Sequence, residues 1–109
     1  MNIGRLRHRI KIQKQRYRPS DYGATIAEWH DLHNVWADVK SLSGRELFTA
    51  QQVQAETTAQ IWLRYLADVD TTMRVEFNGR FYQILSVINY RELNKSLILH
   101  CKELHNGER

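Results

Sequence analysis

A mainly β fold is expected from this chain: a small antiparallel barrel or sandwich of about six strands, with one short helix between the second and third strands and a long mobile loop between the first and second. Three observations predict it. Apolar and polar residues alternate with period two in several short segments, the pattern by which a strand covers one face of a core. Asn78-Gly79 stands between two such segments, and this dipeptide tolerates the positive φ angles of a tight hairpin turn. Only one segment, after residue 43, carries a helix-start signature. At 109 residues, all of them (1–109) are expected to form a single domain.

The first strand is read from Gly4-Arg5-Leu6-Arg7-His8-Arg9-Ile10-Lys11-Ile12-Gln13-Lys14. Arg5, Arg7, Arg9 and Lys11 share one face; His8, Ile10 and Ile12 share the other. Residues 17–32 show no clean period and contain Pro19-Ser20-Asp21-Tyr22-Gly23, so they are read as a mobile arm able to order against a neighbour. Val35, Ala37 and Val39 alternate with Trp36, Asp38 and Lys40, which places a second strand over residues 34–42. Ser43-Gly44-Arg45-Glu46 has the serine and glutamate spacing of a capping box, so a helix is expected to run through about residue 54. Its thin apolar content (Leu47, Phe48, Ala50, Val53) suits a surface helix or a narrow packing stripe.

Thr57, Ala59, Ile61, Leu63 and Tyr65 form the apolar face of a third strand. Asp68-Val69-Asp70-Thr71 supplies a turn, where aspartate bonds to its own backbone. Met73, Val75 and Phe77 then point one way, with Arg74 and Glu76 opposite. The fifth strand, residues 80–90, is apolar on both faces and is expected to be central and covered on both sides. Residues 91–95 form a polar turn, and residues 96–103 close the sheet.

Charge is distributed unevenly. Seven of the sixteen Lys and Arg residues lie within the first eighteen positions, and no acid precedes Asp21. The remaining ninety-one residues carry nine basic against twelve acidic side chains, so the excess positive charge belongs to one end. A strand bearing a cationic ridge favours docking against something negative. Arg5, Arg7, Arg9 and Lys11 could meet an acidic protein surface, touch DNA backbone, or stand as the solvated face of an edge strand. No aromatic interleaves the ridge as a stacking platform for single strands would require.

Chemistry-bearing candidates are weak. His30 and His33 flank Asp31 but lack the further ligands a zinc site needs. Cys101, beside His100, continues the apolar face of Leu97 and Leu99 and reads as core; His100 points to the other face and is expected to be exposed. One cysteine excludes an internal disulfide framework and fits a reducing cytoplasm. No apolar run is long enough to span a bilayer, and no apolar segment backs the N-terminal charges as a secretory signal would. The sequence holds no glycine-rich phosphate loop, nucleophile elbow or paired catalytic carboxylate. Trp36 and Trp62 fall on the polar parity of their strands, which fits either interface aromatics or a second packed layer under the helix.

The order of these pieces resembles the head–tail joining family of long-tailed bacteriophages, also called head-completion or stopper proteins. The resemblance rests on Gly4 to Ile10, on Val35-Trp36-Ala37-Asp38-Val39 running into Leu42-Ser43-Gly44-Arg45-Glu46, and on Ala55-Glu56-Thr57-Thr58 followed by Ile61-Trp62-Leu63-Arg64-Tyr65. Met73-Arg74-Val75, the run Gly79 to Val87, and Leu97-Ile98-Leu99-His100-Cys101 complete it. It implies a β-barrel with a helical excursion and no enzymatic activity; the residues themselves lead us to expect no cofactor and no metal. It implies a virion protein, made in the host cytoplasm, that forms a homo-oligomeric ring at the portal vertex. Its partners would be portal or adaptor proteins, a tail-completion protein and packaged DNA in the channel, with no membrane. Within that frame the excursion (Gly44, Arg45, Glu46, Phe48, Gln51) is assigned to the channel or to an inter-ring contact. The runner-up is a small nucleic-acid-binding barrel that grips phosphates with its first strand.

Overall fold

The alternation read along the strands becomes the inside and outside of a closed barrel. The computed structural model describes residues 6–53 and 55–109, apart from the side chains of Glu46 and Val53. In chain order it contains β1 (His8–Pro19), β2 (Thr25–Ser41), α1 (Gly44–Val53), β3 (Ala59–Arg64), β4 (Arg74–Phe77), β5 (Arg80–Asn89), a 3-10 turn η1 (Tyr90–Glu92) and β6 (Ser96–Leu104). The strands close in the order β1-β2-β3-β6-β5-β4, each pair antiparallel. Closure removes the unpaired edges an open sheet would offer.

Ile10, Ile12, Ile61, Leu63, Val75, Ile84, Leu99 and Cys101 point inward and are essentially sealed from water. Each large aliphatic side chain so buried contributes about 1.5–3 kcal/mol. Asn78 and Gly79 take φ of 51° and 76°, as their turn requires. The Glu76 carboxylate accepts the Gly79 N–H at 2.9 Å, closing the hairpin from its own side chain.

Two strands depart from simple alternation. In β5 the register slips: Ile84 lies opposite Cys101, but Ser86 lies opposite His100, which leaves Leu85 as a bulge. The bulge moves the inward set from Tyr82 and Ile84 to Val87, so apolar residues fall on both parities. β5 is therefore not covered on both sides; Ile88 is exposed. In β2, Ile12 pairs with His33 and Gln13 with Asp31, so Leu32 is the extra residue.

The second bulge marks where the expected loop is replaced by structure. Residues 17–32 are not a mobile loop. β1 and β2 continue past the barrel as a two-stranded ribbon, paired from Gln13–Asp31 to Pro19–Thr25, and only residues 20–24 turn. The Ser20 hydroxyl accepts the Ala24 N–H at 3.0 Å and the Tyr22 N–H at 3.3 Å, while Gly23 sits at φ 81°. The ribbon gives the molecule its long axis, 49 Å against 27 and 25 Å. It lacked a visible period because both its faces meet water, so no core selects one parity.

Candidate interaction surfaces

Odd-numbered residues of β1 stand on the outer barrel face. Arg7 precedes the strand and is exposed; Arg9 is exposed and Lys11 half-buried; Arg5 lies outside the described residues. The ridge is partly engaged. Arg9 Nε donates to Asn34 Oδ1 at 2.8 Å and its guanidinium lies 5.1 Å from the Trp36 ring. Lys11 Nζ is 3.8 Å from Asp31 Oδ2.

A second basic row was missed. The parity that carries Ile10 and Ile12 into the core continues along the ribbon as Lys14, Arg16 and Arg18, all exposed. Positive charge thus changes face where the strand leaves the barrel. The signal was in the spacing: basic residues at 5, 7, 9 and 11 give way to 14, 16 and 18. Glu28 answers only part of this row. Its carboxylate accepts from Arg18 and lies 3.6 Å from His30 Nε2. The Arg18 hydrogen bond holds the Glu28 carboxyl below its usual range.

Trp36 is 52% exposed and sits in an open cleft of about 570 Å³ with Leu6, Arg9, Asn34, Arg64, Tyr65 and Leu66. The two tryptophans part ways here. Trp36 is an outward aromatic beside two arginines, whereas Trp62 is half-buried, edge-on to Tyr90 at 5.2 Å, with Nε1 donating to Gln60 Oε1 at 3.0 Å.

Arg74 falls on the polar parity of its strand, yet it is 7% exposed. Its guanidinium lies 4.3 Å from the Trp29 ring and 4.2 Å from the Phe81 ring, and Nε donates to Gln13 Oε1 at 2.8 Å. Gln13 and Trp29 belong to the ribbon's two strands, and Phe81 to the barrel. Arg74 therefore pins the ribbon where it departs. Burial, and then the nearby Arg109, press its guanidinium below its ordinary pKa.

The histidines do other work. His33 Nε2 meets Asp68 Oδ1 at 2.8 Å, which keeps the Asp68 carboxyl below its usual range. His100 is buried, contrary to expectation. It lies in a groove with Lys40 and Gln60 of the barrel, Leu42 of the β2–α1 connection, and Arg45, Thr49 and Ala50 of α1, so the helix covers that outer patch. Desolvation lowers its pKa. Cys101 is fully buried and burial pushes its thiol far up, as a core residue requires. Asp70 accepts from the Thr72 N–H at 2.9 Å and from the Thr72 hydroxyl, a turn role.

On the excursion, Gly44 opens α1 at φ 57°, Arg45 is exposed, Phe48 is 66% exposed, and Gln51 Nε2 donates to the Thr57 carbonyl at 3.3 Å. The Glu46 side chain, and with it the capping box, lies outside the described residues, as does residue 54, where the helix was expected to end. Among the described residues no group of three or more His, Cys, Asp or Glu could hold a metal ion, and no helix is long and apolar enough to cross a membrane.

The barrel interior is filled by side chains, and what the fold presents outward are cations, exposed aromatics and two projections, a set of contact surfaces. Comparison with known proteins gives that fold a family. The family model described as phage head completion protein matches residues 1–104. The head completion protein gp7 of Enterobacteria phage HK97 is 30% identical over 90 residues, covering 81% of this chain and 80% of that protein. The solution structure of protein SF1141 from Shigella flexneri 2a superposes with a TM-score of 0.77 at 31% identity, covering 100% of both chains. A chain in the virion of a native gene transfer agent particle shares the fold, with a TM-score of 0.59 at 16% identity over 92% of this chain and 96% of that one. This chain belongs to the phage head completion protein family, whose members are structural components of the phage particle and not enzymes.

Proposed function

We propose that this protein completes the portal vertex of a phage head, closes the DNA channel after packaging and joins the head to the tail. It does so as one subunit of a homo-oligomeric ring set between portal or adaptor proteins and a tail-completion protein. It is made in the host cytoplasm and ends in the virion. The observation that carries this reading is the family match over residues 1–104. The architecture supports it, because a closed barrel must make its contacts through its outer face and its projections. In this reading the α1 excursion (Gly44, Arg45, Glu46, Phe48, Gln51) faces the channel or an adjoining ring, and Arg5, Arg7, Arg9 and Lys11 dock on an acidic neighbour.

Deleting the gene from the producing phage and viewing the lysate by electron microscopy tests this. Tailless heads beside finished free tails are expected; normal infectious particles would end the reading. The two basic rows favour a second reading, contact with nucleic-acid backbone. A monomer that holds duplex DNA with steep salt dependence would support it, whereas a joining protein binds free duplex weakly.

A further inference from the structure

We infer that the tip of the β1–β2 ribbon, Asp21-Tyr22, seats in the Trp36 cleft of a second copy of this chain. The inference rests on the ring reading above and names the contact that would build the ring. Tyr22 is 97% exposed, the most exposed of the large apolar and aromatic side chains described. A tyrosine held wholly in water at the end of a projection is an anchor without a pocket. The tip is already shaped by the two Ser20 hydroxyl bonds and by Ser20 N–H donating to the Ala24 carbonyl at 2.6 Å. Binding therefore costs little further ordering.

The cleft has the opposite deficiency. Trp36, Tyr65 and Leu66 give it apolar walls, Arg9 and Arg64 give it charge, and no acid lines it among the described residues. An occupant should bring one aromatic ring and one carboxylate, which Asp21 and Tyr22 supply side by side. The ribbon cannot serve its own cleft. At roughly 3.3 Å per residue, β2 covers roughly 36 Å between Thr25 and Trp36. The tip and the cleft are thus far apart on one molecule, and joining them between molecules is a head-to-tail contact, the kind that closes into a ring when the rotation permits.

The test follows the Trp36 indole N–H by NMR, assigned with Trp36→Phe, as the protein is concentrated from roughly 10 μM to 1 mM, the range of weak contacts. The resonance should shift with concentration. Tyr22→Ala, at a site too exposed to affect folding, should weaken the association at least about tenfold. Asp21→Arg and Arg64→Asp should each weaken it alone, and mixing the two variants should restore it, because each then meets an opposite charge. Rescue by mixing cannot arise from a folding defect. Self-association that survives Tyr22→Ala with the Trp36 resonance unmoved would overturn this contact and leave the ring reading standing. A Trp36 resonance that moves only when a different, acidic protein is added would overturn it in favour of another occupant. Absence of any association at the highest concentration would also overturn it, with the ring reading then judged by the deletion experiment.

Discussion

Replacing Arg74 with alanine should loosen the ribbon from the barrel. Arg74 is stacked at 4.3 and 4.2 Å on Trp29 and Phe81 and donates to Gln13 at 2.8 Å. Each partly desolvated cation–π contact stabilises by about 1 kcal/mol, and a hydrogen bond from a charged donor by about 1.5–3 kcal/mol. Opposing them is the cost of holding a guanidinium away from water, several kcal/mol per ion before compensation. No Asp or Glu carboxylate lies within ion-pair distance of it among the described residues, and its Nη1 makes only a long 3.5 Å bond to the Arg109 main-chain oxygen. The net loss should be about 2 kcal/mol, roughly a thirty-fold change in the opening equilibrium. Hydrogen exchange read by mass spectrometry over residues 14–19 and 25–31 measures that opening directly, beside a urea curve for the barrel. Arg74→Met, which keeps the stem between the rings without the charge, should lose less than the alanine variant. Ribbon exchange unchanged in Arg74→Ala would refute the pinning role.

Other outcomes follow from the same structure. Leu99→Ala should cost about 2–5 kcal/mol in urea denaturation, since Leu99 is fully buried and its loss leaves a cavity in a closed barrel. Asp68→Asn should flatten the acid limb of the stability–pH profile. The His33 hydrogen bond lowers the folded-state pKa of Asp68, so its contribution is fully present above the ordinary aspartate value of about 3.9 and is lost as pH falls through the lower folded value. Cys101 should resist thiol reagents in the folded protein and react only as the protein unfolds, because burial at 0% exposure keeps the thiol protonated and out of reach. Labelling at native rates independent of denaturant would contradict that placement.

How much was legible in the sequence depended on whether a residue had a core to answer to. Ile61, Leu63, Leu97 and Leu99 announce their strands because each misplacement would put an aliphatic side chain in water. Asn78-Gly79 announces its turn because few residues accept two positive φ angles. The distal ribbon had no such constraint. Its strands are held by the backbone ladder and by pairs such as Arg18–Glu28, which satisfy no period. Where β5 did have a core, the Leu85 bulge shifted the period and imitated a strand buried on both sides. His100 was misplaced because strand parity separates inside from outside but cannot say which outer patch α1 will cover. The Arg74 pin joins Gln13, Trp29 and Phe81, residues brought together only by closure of the barrel. The interaction surfaces share that property. Arg9, Trp36 and Arg64 form one cleft only once β1, β2 and β3 are in register, so local pattern could identify the side chains but not the surface they make.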